Sequence, residues 1–321
     1  MRQHYIGFDL GNFHSRATNL QKEFSCLSVV SYGVEHTTED LRESKALDFE
    51  GDIRIGDISI PHIRHKDDNW LESPEILYLF QMGLSELIPP DEDLQEVLAV
   101  CAIPYNLFRY SAGHLAKHLS GNHSFARRGA ICEHNLRVRV IEKPQGLTTL
   151  YRELLNNEGQ PANLLSLEQV AVIDIGSRDV NIIACKEFQI LPHMSETLHE
   201  GCWNLIEALR KSLSRAFNRP SLPEFEVEQA LRTGLFWSGS DYIPIDEYAE
   251  DEKTRFTQKI LTICQRLWPD VNAFRRIYIT GGGSLLIGKE LEFEFAQAQL
   301  CSNPIFSNCT GAAKFARRVG L

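Results

Sequence analysis

Val170-Ala171-Val172-Ile173-Asp174-Ile175-Gly176 is a continuous apolar run broken by one aspartate and closed by glycine. A polar turn and a second apolar run, Val180–Cys185, follow it. Apolar strand, Asp-x-Gly, turn, apolar strand is a hairpin signature. Near the N-terminus Tyr5-Ile6-Gly7-Phe8-Asp9-Leu10-Gly11 repeats the pattern, with its second run at Ala17–Leu20. Asp9 and Asp174 stand 165 residues apart in a chain of 321. A repeat at half-length predicts two similarly built lobes and not a short-period solenoid.

Working outward, Phe49–Ile60 alternates like a strand pair with turn glycines, and Glu72–Leu87 has helical spacing. Val97–Ile103 reads as a buried strand ended by Pro104. Leu107–Leu119 reads as a helix, Leu136–Ile141 as a strand, and Gln145–Leu155 as a helix behind Pro144. In the second half helices are expected at Gly201–Phe217, Phe225–Phe236, Thr254–Trp268, Leu285–Leu300 and Gly311–Val319. An exposed acidic segment is expected at Asp241–Asp251, and Trp203, Trp237 and Trp268 are expected in the core. Arg276–Thr280 is a β-branched strand leading into Gly281-Gly282-Gly283. Strands alternating with helices argue for α/β layers.

Three glycine turns carry the chemistry. A strand ending in Asp-x-Gly can present successive backbone N–H groups to an anion, and glycine permits the close approach. The candidate turns are Gly11-Asn12-Phe13-His14-Ser15 and Gly176-Ser177-Arg178-Asp179. Together they would clamp a polyphosphate, with Asp9 and Asp174 as hard oxygen ligands for Mg²⁺ or its waters. The third turn, Thr280–Ser284, lets a ligand lie against backbone at the start of a helix.

Composition bounds the function. Thirty-three Lys+Arg against 43 Asp+Glu give a net charge of −10, which disfavours direct nucleic-acid binding. No apolar stretch is long enough to span a membrane, and the opening residues lack a secretory pattern. Eight scattered cysteines without a C-x-x-C pair point to a reducing, cytoplasmic setting and away from a zinc site. The histidines show no metal-ligand spacing. His62 and His65 flank Arg64 in an expected surface loop, and Arg127-Arg128 and Arg317-Arg318 are short basic pairs.

These motifs, in this order, resemble the actin-like ATPase superfamily of actin, DnaK-type chaperones and sugar kinases. IGFDLGNFHS resembles its first phosphate loop, VAVIDIGSRDVN its second, and RIYITGGGSLLIG its adenosine motif. Within the superfamily the chain looks most like the bacterial plasmid-segregation actins of the ParM/StbA type. VLAVCAIPYNLF, VRVIEKPQGLTTLY and IFSNCTGAAKFA resemble further segments of that group.

The resemblance implies an actin-like two-lobed α/β fold, each lobe a mixed-sheet, ribonuclease-H-like core. The first lobe would span residues 1–160 with a small subdomain at about 31–95, and the second 161–321 with a helical insert at about 201–270. It implies ATP with Mg²⁺ as cofactors, GTP staying open. Asp9 and Asp174 would organise the metal, and Gly11, Asn12, Phe13, His14, Ser15, Gly176, Ser177 and Arg178 the phosphates. Gly281, Gly282 and Gly283 would pack on the nucleoside, with Glu228 near the ribose. The water-orienting residue would be Gln145, with Glu142 the alternative under a shifted alignment. The expected partners are further copies in a filament and a DNA-binding adaptor, with no membrane. The expected function is an ATP-hydrolysing filament that moves plasmid or other DNA. A slow-hydrolysing scaffold, or a phosphotransferase or polyphosphatase, is the alternative. The second loop departs from the usual Asp-x-Gly-Gly-Thr-Thr-x-Asp, with Ser177, Asp179 and Asn181 at variant positions.

Overall fold

The computed structural model describes residues 3–32, 47–48, 53–56, 62–63, 68–127 and 132–320. The chain divides into two units, Met1–Glu168 with Ile305–Leu321, and Gln169–Pro304. The last segment therefore packs with the first unit, whereas an equal division at 160 assigns it to the second.

The first unit runs β1 (Gln3–Leu10), β2 (His14–Thr18), β3 (Glu23–Leu27), β4 (Val30–Tyr32), β5 (Leu47–Asp48) and β6 (Ile53–Ile55). Then come α1 (Pro74–Leu87), β7 (Asp91–Ile103), α2 (Tyr105–Ser111), α3 (His114–Leu119), β8 (Gly121–Phe125), β9 (His134–Pro144) and α4 (Leu147–Leu154). The second unit runs β10 (Gln169–Ile175), β11 (Val180–Lys186), β12 (Gln189–Ile190), β13 (Glu196–Leu198), α5 (Cys202–Ala216) and α6 (Glu224–Thr233). It continues with β14 (Leu235–Trp237), β15 (Tyr242–Pro244), α7 (Asp246–Leu267), β16 (Arg276–Thr280), α8 (Ser284–Glu294) and β17 (Ala298–Leu300). The chain closes with α9 (Ser307–Gly320) in the first unit.

Among the described residues, the main sheets follow one plan. Unit 1 orders its strands β3-β2-β1-β7-β9-β8 and unit 2 orders them β12-β11-β10-β16-β17. In each, the Asp-bearing strand pairs antiparallel with its hairpin mate and parallel with the strand on its other side. The half-length repeat of the sequence is thus a repeat of topology. β10 is covered on both faces, which is why its apolar run is continuous and not alternating.

Each unit has its own core. Phe8, Phe80, Ile76 and Leu79 join β1 to α1 in the first, and Ile173, Ile260, Ile279 and Ile287 join β10, α7, β16 and α8 in the second. A smaller cluster of Leu209, Leu213, Val227 and Phe236 holds α5, α6 and β14 together. Six of the eight cysteines are buried, Cys101, Cys202 and Cys264 of them within these cores, and Cys26 and Cys132 are half-buried.

Several expected elements change length. Leu107–Leu119 is two helices, because Gly113 takes φ +93° between them. Phe225–Phe236 ends as helix at Gly234, φ +74°, and resumes as strand, leaving Trp237 at 45% exposure and not in the core. α7 begins eight residues before Thr254, within the acidic segment, where Asp246 and Glu247 favour a helix N-terminus. Leu285–Leu300 splits into α8 and β17. Gln145 lies in the turn before α4, not in the helix, and Gly146 has φ +82°. Of Phe49–Ile60, Ile53–Ile55 is a strand, while residues 49–52 and 57–60 lie outside the described residues, as do Arg64, His65 and Arg128.

Helix α9 is fitted to two neighbours by glycines. A Cβ on Gly7 would meet the Cys309 carbonyl oxygen at 1.9 Å, so α9 lies against the backbone of β1. Asn308, Gly311 and Lys314 fall along α4 in order. Asn308 Oδ1 accepts from Gly146 N, Gly311 faces the Thr148 carbonyl, and Lys314 Nζ donates to the carbonyls of Arg152 and Leu155. The two helices therefore run the same way, and Lys314 satisfies carbonyls that α4 leaves open at its C-terminus.

Candidate functional site

The two Asp-x-Gly hairpins close in the same manner. Gly11 N donates to His14 O at 3.1 Å, and Gly176 N donates to Asp179 O at 2.9 Å. A Cβ at either glycine would stand under 3 Å from that same carbonyl oxygen, 2.9 Å at Gly11 and 2.8 Å at Gly176. Both turns therefore need glycine for the same steric reason.

Each turn is aimed by what holds its carbonyls. In the first, Ser28 N donates to Phe13 O at 2.9 Å and Ser28 Oγ donates to Gly11 O, while Ser28 Oγ also pairs with Ser15 Oγ at 2.9 Å. In the second, the start of α5 does this work, Cys202 N donating to Gly176 O at 3.1 Å and Trp203 N to Ser177 O at 2.7 Å. Among the described residues no peptide is cis, and in a trans peptide the N–H points opposite to the C=O. The N–H groups of Asn12 and His14 therefore point away from Ser28, and those of Ser177 and Arg178 away from α5. Backbone N–H groups presented by a glycine turn are the kind of donor that binds anions.

Asp9 ends β1 at 8% exposure. Its Oδ1 accepts from Gln145 Nε2 at 2.8 Å, and Asn308 also hydrogen-bonds the carboxylate. Burial pushes its carboxyl above the ordinary value of 3.8, opposed by the Arg16 charge and by those two amides. Arg16 is the cross-strand partner of Asp9, and its buried Nε has no hydrogen-bond partner. Sequence reading passed over Arg16. The available signal was its place on the second strand of the hairpin, directly opposite the aspartate. In unit 2 that position is Asn181, which accepts from Thr197.

The raised carboxyl has a measurable consequence. Between 3.8 and its raised value, Asp9 stays protonated in the folded chain and ionised in the unfolded chain. Its contribution to stability is therefore greatest in acid and falls as pH rises through that window. Asp9→Asn removes this dependence. Thermal melts of ligand-free protein from about pH 4 to about pH 7 should show the variant gaining stability relative to wild type as pH rises. A difference that stays flat with pH would refute the assignment.

Glu142 is placed differently from Gln145. Its carboxylate accepts from Gly113 N at 2.6 Å and Ala116 N at 2.7 Å, so both oxygens cap the start of α3. Of the two alternatives for orienting water, Gln145 is the one beside Asp9.

In unit 2, Asp174 is 3% exposed at the end of β10, opposite Thr280 of β16. The three glycines after β16 differ. A Cβ on Gly281, at φ +83°, would come within 2.3 Å of Ile175 O and 2.6 Å of Asp174 Oδ1. One on Gly283 would lie 2.3 Å from Cys202 Sγ. A Cβ on Gly282 would meet nothing within 4 Å. The second Asp-x-Gly turn, the start of α5 and this glycine turn thus gather around Ile175. Asp179, 7% exposed, has His199 Nδ1 3.2 Å from its Oδ1. Glu228 sits on α6 in an ion pair with Arg232.

Among the described residues no three His, Cys, Asp or Glu side chains converge into a metal cage. Among the same residues no helix is long and apolar enough to cross a membrane.

Residues 172–293 match the profile described as the C-terminal part of the archaeal actin homologue MreB-like family. A 15-stranded ParM filament from Clostridium botulinum superposes with a TM-score of 0.81 at 21% identity, over 99% of this chain and 100% of that one. An archaeal actin homologue in complex with ADP gives 0.77 at 19%, over 99% and 100%. ParM from Bacillus thuringiensis with ATP gives 0.71 at 14%, over 100% and 99%. No curated protein matches the chain in sequence. The chain has the actin-like α/β fold, as its three motifs implied, and ParM proteins are among the structures it resembles.

Proposed function

We propose that the chain is a nucleotide-dependent, filament-forming actin homologue that binds ATP with Mg²⁺ and hydrolyses it to loosen the filament. The observation that carries this reading is the same glycine-closed hairpin occurring twice, each on a strand that ends in a buried aspartate. The orphaned Nε of Arg16 and the open Cβ position of Gly282 fit a phosphate and a flat nucleoside respectively. Mg²⁺, when bound, supplies charge neutralisation to the phosphate oxygens.

The chain's own residues would divide the remaining work. The amides of the two hairpins and Arg16 hold the polyphosphate, and Asp9 and Asp174 accept hydrogen bonds from the metal's waters. Gln145, donating to Asp9 through Nε2, would orient a water beside that carboxylate. Phosphoryl transfer depends on such positioning more than on a strong base. Gly282 lies against the nucleoside, and Glu228 would exchange Arg232 for ribose hydroxyls. GTP fits the same backbone contacts. Head-to-tail contacts that do not close give an open filament, and a net charge of −10 suits DNA cargo gripped through an adaptor, in the cytoplasm. A slow-hydrolysing scaffold is the second reading, favoured by Asp179, a carboxylate in the second phosphate turn.

Right-angle light scattering on adding Mg-ATP, with an EDTA control and phosphate release followed in parallel, tests this. The expected result is a rise that decays as ATP is consumed. Gln145→Ala should rise equally and persist, with phosphate release about tenfold slower or more. A persistent rise in wild type supports the scaffold. No rise with nucleotide shown bound would overturn assembly.

A further inference from the structure

The side chain of Asn308 is buried at the start of α9, three residues after the chain re-enters the first unit at Ile305. Its single oxygen accepts three hydrogen bonds, from Gly146 N at 3.0 Å, Thr148 Oγ1 at 2.7 Å and Thr149 Oγ1 at 3.1 Å. All three donors lie in the first turn of α4 or just before it. Gly146 directly follows Gln145, whose Nε2 donates to Asp9. The other end of the Asn308 amide faces the same Asp9 carboxylate.

One planar amide therefore fixes both partners of the Asp9–Gln145 contact. Through its oxygen it sets the backbone that carries Gln145, and through its nitrogen it sets the carboxylate that Gln145 meets. This dual use needs an acceptor and a donor on one short side chain, which asparagine has and aspartate lacks. The rest of α9 reinforces the placement, since Gly311 and Lys314 hold it along α4.

We propose that Asn308 is a positioning residue for hydrolysis, aligning Gln145 with Asp9 from a segment 163 residues further along the chain. The proposal rests on the hydrolysis reading above. Two variants separate alignment from mere structural support. Asn308→Asp keeps an oxygen for the three α4 donors but replaces the donor facing Asp9 with an acceptor. Thr148→Val removes one α4 donor and leaves the Asp9 side intact.

The measurements are single-turnover phosphate release, the affinity for a fluorescent ADP analogue, and the side-chain amide resonances of Gln145. The resonances are assigned by comparison with Gln145→Glu. Asn308→Asp is expected to slow phosphate release about tenfold or more, with ADP affinity changed less than about threefold and the Gln145 resonances shifted. Thr148→Val is expected to lower thermal stability while its turnover stays within about twofold of wild type and the resonances stay in place. Asn308→Ser, too short to bridge both groups, substitutes if the aspartate variant does not fold, with the same loss of turnover expected. Unchanged turnover in folded Asn308 variants, or equal loss in Thr148→Val, overturns the proposal. Should wild type bind nucleotide and release no phosphate, the hydrolysis reading fails by itself. The Gln145 resonances then still decide the alignment, and their failure to shift in Asn308→Asp would overturn it.

Discussion

Gly311→Ala is expected to lower the melting temperature by about 10 °C. The added methyl would lie 1.6 Å from the Thr148 carbonyl oxygen and 2.7 Å from Arg152 N. Both are backbone atoms of a helix and cannot rotate aside, so α9 must lift off α4. Overpacking costs about 1–3 kcal/mol where side chains can adjust. Here the shift also stretches the hydrogen bonds of Asn308 and Lys314 at either end, at about 1 kcal/mol each. A total of about 4 kcal/mol, at roughly 2–4 °C per kcal/mol for a unit of this size, gives a fall of about 10 °C. Thermal unfolding followed by circular dichroism reads it directly. A fall under about 3 °C would mean that α4 and α9 are not held together by this close approach.

The second large effect is one of contrast. Gly282→Val should leave the melting temperature within about 2 °C of wild type, because its Cβ position is open and its φ is not left-handed. Nucleotide affinity should nevertheless fall at least about tenfold, or about 1.4 kcal/mol, because the methyls occupy the surface on which the nucleoside would lie. Gly281→Ala should do the reverse, destabilising the second unit through the clash with Ile175 O and a strained φ of +83°. Isothermal titration with Mg-ADP beside thermal melts separates the two. Wild-type affinity in Gly282→Val would move the nucleoside away from this turn.

The hairpins and β16 were legible because their signals are local. Asp-x-Gly after an apolar run dictates a strand and a turn within a dozen residues, and the repetition of that pattern gave the doubled topology. The breaks were less legible. Gly113 and Gly234 stand inside helical spacing, and their left-handed dihedrals depend on what packs around them. The acidic start of α7 looked like a solvated loop, although Ile245, Ala249 and Phe256 keep its buried stripe. The candidate site suffered most where partners are distant in sequence. Glu142 reads as a plausible water-orienting carboxylate until Gly113 and Ala116, well upstream, are seen to consume both its oxygens. Asn308 reads only as part of a family-like segment, since its three donors lie about 160 residues earlier. Periodicity carries no information about such meetings.

The sealing of thiols in the interior also decides how the protein can be handled at the bench. Burial pushes Cys185 and Cys202 up to about 12, as it does half-buried Cys26, and drives Cys101, Cys264 and Cys309 up as well. A thiol with a pKa near 12 is ionised to about one part in 10⁵ at neutral pH, and the thiolate is the reactive species. Cys132 is half-buried and is the position to test first for attachment of a maleimide fluorophore. A fluorophore there would let the assembly proposed above be followed by fluorescence with the buried thiols left in place.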